Sequence, residues 1–391
     1  MRICIVYDCL FPHTVGGAER WYRNLAERLA ADGHEVTYLT LRQWEDGERP
    51  EIDARVRVVV AGPRMALYTG PRRRILPPLV FGLGVSAHLL VHRRDYDVVH
   101  TCAFPYFSLL AAGLLRRWGR YTLCVDWFEV WSSSYWRSYL GGVGGIIGGF
   151  VQRLCARVPQ RAFCFSQMHA RRLREEGLHG EIVMLRGLYV GKSRAAEPRQ
   201  ADPLVMFAGR LIPEKRARLG VEAVLLARRQ IRDLKGVFYG DGPERDALQA
   251  LIERNHAEAF IEAPGFVSGE QVEHDLRRAA CLLLPSEREG YGLVVVEACA
   301  YATPAVIVAA PDNAASELIE EGVNGVVAAD ASPETIAAAI VCVWEAGLPM
   351  RQSTARWFAD NEQRLSLHSS LQTVLERYSP TARGKRCSPT A

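Results

Sequence analysis

The chain has 391 residues, of which 49% are hydrophobic and 24% charged, and its formal net charge is +4. This length predicts two or three domains, and the composition is typical of a soluble globular protein. Arginine outnumbers lysine 44 to 4, but no compact basic helix or aromatic platform accompanies this bias, so binding of nucleic acid is not expected.

The chain starts with a strand-like run, "MRICIVYD", which does not have the apolar core and cleavage site of a secretory signal. The ten cysteines are scattered, without a C-x-x-C pair or a zinc-ligand spacing. We therefore expect buried thiols in a reducing, cytoplasmic environment.

The first half of the sequence alternates short apolar runs with helical stretches. "RICIVYD" is followed by an amphipathic segment that ends at Gly33, and then by "HEVTYLT". Further strands are predicted at "VRVVV", "DVVHT", "YTLCV" and "AFCFS". Nearly continuous apolar runs joined by helices are typical of a parallel sheet that is buried on both faces.

The longest apolar run, residues 75–92, contains Pro77, Pro78 and two histidines. A membrane-spanning helix needs about 20 cleaner apolar residues, so the run predicts a helix that is buried or lies on a surface. Three arginines, Arg72, Arg73 and Arg74, directly precede it. They leave peripheral contact with the inner face of a membrane open.

A polar, proline-containing stretch at 190–203 separates two halves of similar pattern. After it, strands are predicted at "LVMFAGR", "GVFYG", "CLLLP", "PAVIV" and "NGVVA". We predict two doubly wound α/β domains, 1–190 and 199–356, with an active site in the cleft between them. A helix at 357–378 and a disordered tail at 379–391 would complete the chain.

Residues 286–306, "SEREGYGLVVVEACAYATPAV", join a glycine-flanked turn to an apolar helix that still carries an acid, Glu297. Such a turn presents free backbone N–H groups and the positive end of a helix dipole to an anion. Glu297 and Glu289, eight residues earlier, would suit ligand hydroxyls beside a bound phosphate. The alternative is a capping acid at 289 and a paired core acid at 297, although unpaired glutamate is rarely buried.

The spacing in "EREGYGLVVVE", followed by "ACAYATPAV", resembles the donor signature of retaining glycosyltransferases of family 4, which have the GT-B fold of two Rossmann-like domains. The resemblance covers nearly the whole chain, since "GGAER", "FAGRLIPEK", "FYGDGPERDAL" and "APGFVSGEQV" occur in the family's order. The segment "DWFEVWSSSYWRSYLGGVGG" is similar to one aromatic subgroup. The helix 357–378 would then pack back on the first domain.

The resemblance implies a role for each matching residue. Glu289 would hold hydroxyls of the donor sugar and Glu297 those of the ribose, while Arg210 and Lys215 would contact the diphosphate. Fixed cations there would stabilise the charge that grows on the leaving group, so Glu289, Arg210 and Lys215 are the candidate catalytic residues. The implied donor-binding residues are Gly16, Gly17, Phe266, Val267, Glu289, Gly290, Tyr291, Gly292, Leu293 and Glu297.

The first domain would bind the acceptor, and here the sequence departs from the family pattern. Cys102 stands where many relatives have histidine, and Phe128 where the aromatic subgroup tends to have one. His100 is equally consistent with a packed residue at the end of a strand. The acceptor-side candidates are His100, Cys102, Asp126, Trp127 and Glu129.

One pair of acids has the spacing of a metal site found in other glycosyltransferases. Asp95 and Asp97 form a D-x-D, and two carboxylates at this spacing can chelate a divalent ion. They precede a strand of the first domain, at the end of the sheet away from the expected cleft. We therefore predict a reaction that needs neither a metal nor a cofactor.

We interpret the chain as a bacterial, cytoplasmic, retaining glycosyltransferase that moves a sugar from a nucleoside diphosphate, with UDP expected, to an acceptor hydroxyl. The sugar, the acceptor (a small molecule, a natural product or a lipid-linked group) and the oligomeric state stay open. Cys102 and Phe128 motivate one alternative, a related protein that binds without transferring. The other is an epimerase or a phosphorylase on the same fold.

Overall fold

The computed structural model describes residues 1–14, 16–45, 47–69, 72–191 and 197–378, so the tail predicted to be disordered, 379–391, lies outside it. The first domain contains a seven-stranded parallel sheet of order β3-β2-β1-β6-β7-β8-β9 and a two-stranded hairpin. Its strands are β1 (Arg2–Val6), β2 (Glu35–Thr40), β3 (Val56–Val60), β4 (Tyr68–Thr69), β5 (Arg72–Arg73), β6 (Val98–Cys102), β7 (Thr122–Trp127), β8 (Arg161–Cys164) and β9 (Ile182–Met184).

Helices cover both faces of this sheet, which explains why nearly every residue of its central strands β1, β6 and β7 is buried. Ile3 and Ile5 of β1 pack with the first helix, whereas their neighbours Cys4 and Val6 pack with the second and third. The helices are α1 (Gly17–Ala31), α2 (Leu76–His92), α3 (Phe107–Gly119), α4 (Ser133–Arg157) and α5 (Gln167–Glu175).

The second domain repeats the design with a six-stranded parallel sheet of order β12-β11-β10-β13-β15-β17. Its strands are β10 (Leu204–Ala208), β11 (Lys235–Tyr239), β12 (Ile261–Gly265), β13 (Cys281–Leu284), β15 (Ala305–Val308) and β17 (Gly325–Ala328), and a separate pair is formed by β14 (Arg288–Glu289) and β16 (Asp312–Asn313). Its helices are α6 (Ala217–Ala227), α7 (Arg245–Arg254), α8 (Gly269–Arg278), α9 (Leu293–Ala300) and α10 (Pro333–Leu365).

The chain returns to the first domain at its end. The long helix α10 bends at Gly347, where φ is 51°, and Ser366 then forms a bridge with Tyr189. The last helix, α11 (Leu367–Tyr378), buries Leu371 and Val374 in the same apolar cluster as α1. The predicted 357–378 helix is therefore the end of α10 followed by α11.

The apolar run at 75–92 forms α2, which lies on the outer surface of the first sheet. Phe81, Val85 and Leu89 are buried against it, while Leu83 and Val91 are exposed. Within the described residues, no helix is long and apolar enough to cross a bilayer.

Candidate active site

The carboxyl end of β7 in the first domain meets the loop that follows β13 in the second. Arg288 of this loop is ion-paired with Glu129, which follows β7. A Cβ atom at Gly290 would lie 2.9 Å from the carbonyl oxygen of Phe128. Ligands of doubly wound sheets bind beyond the carboxyl ends of the strands, so this contact lies in the region of the cleft where the site is expected.

Lys215 and Glu289 form an ion pair in this cleft, with 2.5 Å between Nζ and Oε1. Lys215 ends a short 3-10 helix, Pro213–Lys215, and Glu289 lies in β14. Their side chains are only 18% and 10% exposed. The pair therefore offers a donor for a phosphate oxygen and an acceptor for a sugar hydroxyl at one point.

Arg210 lies on the loop after β10, and a glycine turn of the neighbouring strand holds that loop. The N–H of Leu211 donates to the Asp241 carbonyl at 2.9 Å. At Gly242 φ is 152°, and a Cβ atom there would overlap the Leu211 carbonyl group, so glycine is required. The turn fixes the backbone of the loop while the Arg210 side chain stays exposed.

Glu19 of α1 lies near enough to this loop for the charge of Arg210 to act on it. Burial raises the pKa of the Glu19 carboxyl, and the positive charges of Arg73 and Arg210 oppose the rise. Arg73 also pairs with Asp8, whose side chain is fully buried just after β1. Asp8 and Glu19 were not among the predicted site residues. Asp8 follows β1 and Glu19 lies in the first turn of α1, at the end of the sheet where ligands bind.

The turn before α9 has the geometry of an anion site. Gly292 has a φ of 95°, and a Cβ atom there would lie 2.6 Å from the Cβ of Ala315. Leu293 begins the helix, so its first free N–H groups and positive dipole end lie beside the turn. Tyr291 points to the first domain instead, where its hydroxyl donates to the Arg186 carbonyl at 2.5 Å.

Glu297 follows Leu293 by one turn of α9. Burial raises the pKa of the Glu297 carboxyl to about 6, and the positive charge of Arg20 on α1 opposes the rise. Burying an ionised carboxylate costs free energy, and hydrogen bonds donated by ligand hydroxyls would offset part of that cost. The geometry is therefore compatible with the ribose role implied by the sequence.

The remaining donor-side residues lie on two loops. Gly16 directly precedes α1, and a Cβ atom there would overlap the Glu19 carboxylate, whereas Gly17 has open space beside it. Phe266, after β12, has 79% of its surface exposed, and Val267 next to it packs against the core. An exposed aromatic ring at this position could cover a flat ligand.

Four of the five acceptor-side candidates are buried beneath the cleft. The Nε2 atom of His100 lies 2.9 Å from the Oδ1 atom of Asp126, and neither side chain is exposed. Trp127 points to the opposite face and donates from Nε1 to Gln160 at 2.8 Å. Burial raises the pKa of the Cys102 thiol. Because these four side chains are buried, they do not present themselves to a ligand in the cleft.

Glu129 is the acceptor-side candidate that reaches the cleft, and its partner Arg288 was missed by the sequence analysis. Arg288 lies 3.8 Å from Glu214, and its guanidinium stacks on Tyr135, 4.5 Å from the ring centroid. Burial alone would raise the pKa of Glu129, but Arg288 and the other nearby positive charges hold it below its usual range. The one available signal was a cation between two acids in "EREG".

A cavity of about 600 Å³ lies between the domains beside this site. Of the predicted site residues, only Tyr291 lines it; the other lining residues include Arg186 and Arg364. The cavity therefore does not coincide with the Lys215–Glu289 pair, and we assign the site from the charged residues rather than from the cavity.

The described residues contain no group of three or more histidine, cysteine, aspartate or glutamate side chains that could hold a metal ion. Asp97 accepts from the backbone N–H of Arg2 at 2.7 Å, and Asp95 lies 2.9 Å from the ring of His92. Both acids are thus engaged at the amino ends of β1 and β6.

Comparison with known proteins assigns the two domains. Residues 15–185 match the model of "Glycosyltransferase Family 4", and residues 192–355 match that of "Glycosyl transferases group 1". The two matches together span most of the chain, which therefore belongs to this family of GT-B glycosyltransferases. The predicted family and fold are confirmed, whereas retention at the anomeric carbon stays a prediction.

The individual relatives have low sequence identity to this chain or match only part of it. An alpha-D-kanosaminyltransferase of Streptomyces kanamyceticus is 32% identical over 141 residues, which are 35% of this chain and 36% of the relative, so the chain spans about a third of that protein's length. The structure of sucrose-phosphate synthase of Thermosynechococcus elongatus superposes with a TM-score of 0.75 at 18% sequence identity. The superposition covers 96% of this chain and 98% of the synthase chain. HepE of Anabaena, solved in complex with UDP, has a TM-score of 0.71 at 18% identity and covers 96% and 99%.

Proposed function

We propose that the protein transfers a sugar from a nucleoside diphosphate to an acceptor hydroxyl, with retention at the anomeric carbon and without a metal. The observation that carries the proposal is the Lys215–Glu289 pair, which adjoins the glycine turn that begins α9. A cation, a carboxylate and a helix start are thereby gathered at one end of the cleft. These three features suit a diphosphate that carries a polyhydroxylated group.

In the proposed complex the diphosphate lies between Lys215, Arg210 and the N–H groups that begin α9. Glu289 then accepts from hydroxyls of the sugar, and Glu297 accepts from those of the ribose. Binding a donor would exchange the Lys215–Glu289 contact for contacts with the ligand. One ion pair within the protein would be replaced by two charged contacts with the donor, one from Lys215 to phosphate and one from a sugar hydroxyl to Glu289. This exchange is compatible with tight donor binding.

The reaction breaks the bond between the anomeric carbon and the diphosphate oxygen and forms a bond from the acceptor oxygen on the same face of the sugar. The acceptor proton passes to the departing phosphate oxygen. The one negative charge that develops on the departing phosphate oxygen, together with the charges the diphosphate already carries, is stabilised by Arg210, Lys215 and the helix dipole. Fixed donors of this kind are typically worth about a hundred- to a thousandfold each. The buried His100 and Asp126 support the floor of the cleft.

UDP is the proposed carrier, and the complex of the structural neighbour HepE with UDP supports it. The kanosaminyltransferase relative supports transfer of a sugar, and a hydroxyl of a small molecule or natural product is one proposed acceptor class. Trp131 and Tyr135, which border Arg288 at the mouth of the cleft, give the acceptor side aromatic surfaces.

A thermal-shift panel of UDP, GDP, ADP and their sugars tests the donor site. The matching donor at about 100 times its Kd should add about 2.7 kcal/mol to the free energy of unfolding. Transfer to hydroxyl acceptors is then followed by mass spectrometry, and the anomeric configuration of the product by NMR. Glu289→Ala should keep the fold and lower the rate at least a hundredfold; a wild-type rate in this variant would refute the assignment.

A further inference from the structure

The second part of α4 has its large apolar side chains on the outside. Gly141, with φ of 79°, interrupts the helix, and the part after it exposes Val143, Ile146, Ile147 and Phe150 to between 58% and 74%. Their spacing of three and four residues places them on one stripe of the helix. A water-facing helix surface normally carries polar residues, so this stripe requires an explanation.

The opposite stripe of the same helix consists of small residues. A Cβ atom at Gly145 would lie 2.6 Å from the Cα of Arg137, and one at Gly148 would overlap the ring of Trp136. The glycines thus let the helix fold back closely on the part before the bend. This part of α4 packs against the rest of the protein through its glycines, so its large apolar side chains are left free for another contact.

The neighbouring helices extend the apolar surface. Contacts between α2 and α3 are extensive, and α3 approaches the end of α4, where Gly113 faces Val158, the residue directly after that helix. Of the eighteen exposed large hydrophobic side chains in the described part of the chain, five lie on α2, two on α3 and six on α4. These three helices, which we call the outer face, are Leu76–His92, Phe107–Gly119 and Ser133–Arg157.

The charge of the outer face has one sign. Its three helices contain no aspartate and no glutamate, whereas they contain five arginines, Arg116, Arg117, Arg137, Arg153 and Arg157. Arg153 pairs with Glu176, the residue directly after α5, and the guanidinium of Arg116 donates to the Pro159 carbonyl. Arg117, beside the exposed Trp118, and Arg137 are both exposed. An apolar surface with cationic residues matches the interface of an anionic lipid bilayer.

We propose that the outer face docks on an anionic lipid bilayer, with the Val143–Phe150 stripe inserted among the lipids and the arginines at the headgroups. This surface is separate from the donor site and its role goes beyond the proposed function. The start of α4 reaches the cleft, because Tyr135 donates from its hydroxyl to Glu214 at 2.9 Å. One helix therefore links the bilayer to the cleft mouth, and a membrane-borne acceptor would enter along it.

Co-sedimentation with vesicles tests the docking, using phosphatidylcholine with and without phosphatidylglycerol. Wild-type protein should bind the anionic vesicles and bind them less as salt is raised. Ile146→Glu and Phe150→Glu should each weaken binding at least about tenfold, and Arg117→Gln or Arg137→Gln about fivefold. Val190→Glu, at an exposed apolar residue outside the outer face, should bind as the wild type does.

The thermal shift produced by UDP serves as a folding control, since a folded variant keeps its donor site. Equal vesicle binding by wild type, Ile146→Glu and Val190→Glu would overturn the proposal, as would no binding of wild type to either vesicle. Sedimentation velocity without lipid tests whether a second copy of the chain covers the outer face instead. A dimer that Ile146→Glu converts to a monomer, without vesicle binding by the wild type, would assign the outer face to a second copy.

Discussion

Arg288 in the donor loop is ion-paired with Glu129 of the first domain, so one side-chain pair joins the loop before Glu289 to the acceptor side of the cleft. Arg288 is 15% exposed and Glu129 26% exposed. Removing one member of such a partly buried pair leaves the other charge without its main partner, whereas removing both avoids that cost.

We therefore expect the losses of unfolding free energy in Arg288→Met and Glu129→Gln to add up to more than the loss in the double variant. The coupling energy should be on the order of 1–3 kcal/mol, as is typical of contacting residues. Urea unfolding of the four proteins gives the cycle. Additive effects would show that the pair contributes nothing beyond its separate contacts.

Arg210→Ala and Lys215→Ala should lower transfer by about a hundredfold or more, because each removes a fixed charge at the leaving diphosphate. They should weaken UDP binding much more than uridine binding. Calorimetry with the two ligands measures this difference. Arg218→Ala, at an exposed arginine of α6, is the matched control, and equal losses for UDP and uridine would rule out the phosphate role.

Glu297 predicts a pH dependence of opposite sign for stability and binding. Its pKa in the folded protein is about 6, against 4.5 for the ordinary carboxyl. A raised acid pKa stabilises the fold below the unfolded pKa, and this contribution is lost as the pH rises through 6. Glu297→Gln should thus raise the free energy of unfolding at pH 8, by on the order of 1 kcal/mol, and much less at pH 4.5.

Donor affinity should change in the other direction, since ribose hydroxyls donate to the ionised carboxylate. Wild-type affinity for UDP should fall below pH 6, and Glu297→Gln should bind more weakly with a flatter pH profile. Glu258→Gln, at an exposed acid of the same domain, should change neither property. A steep profile that persists in Glu297→Gln would assign the titration to another group.

The contact between Tyr378 and His100 predicts which part of the tail is needed. The Tyr378 hydroxyl bonds the Nδ1 atom of His100 across 278 residues of sequence, and α11 buries Leu371 and Val374. Truncation after Tyr378 should leave the melting temperature unchanged. Truncation after Ser366 should give an unstable or insoluble chain, because it exposes the apolar cluster shared with α1; a soluble product with a native melting temperature would contradict this.

Sequence patterns were sufficient for the sheets, because a strand buried on both faces is a continuous apolar run. β1, β6 and β13 are each read directly from the sequence in this way. The same continuity hides which side chains face a ligand. Trp127 and Asp126 are adjacent in β7 and both are fully buried. When both faces of a strand are buried, its sequence does not show which side chains lie on the face toward the cleft.

Contacts between residues that are far apart in the sequence were the second feature of the site that could not be predicted. Lys215 and Glu289 were assigned separate roles, and their ion pair follows from a 74-residue loop closure that no local pattern encodes. Arg288 was not selected from the sequence, where it is a cation between two acids; Glu129 and Tyr135, which lie beside it, come from the first domain. The glycines of α4 were part of a recognised motif, yet their role required knowing which stripe of the helix was buried.

The prediction that no metal is required depends on Asp95 and Asp97, whose D-x-D spacing would allow chelation of a divalent ion. Asp97 accepts from the N–H of Arg2, at the start of β1. β6 begins one residue later and ends at Cys102, so its five residues, about 17 Å long, separate the acids from the carboxyl end of the sheet.

Charge at the diphosphate is supplied in the proposed site by Arg210, Lys215 and the start of α9. We therefore expect transfer to survive excess EDTA, and Asp95→Asn with Asp97→Asn to leave donor affinity unchanged, since an asparagine oxygen can still accept from the Arg2 N–H. Initial rates with EDTA, and after adding manganese or magnesium, measure this. Loss of transfer in EDTA that either ion restores would require a metal-dependent mechanism, and its loss in the double variant would locate the ion at Asp95 and Asp97.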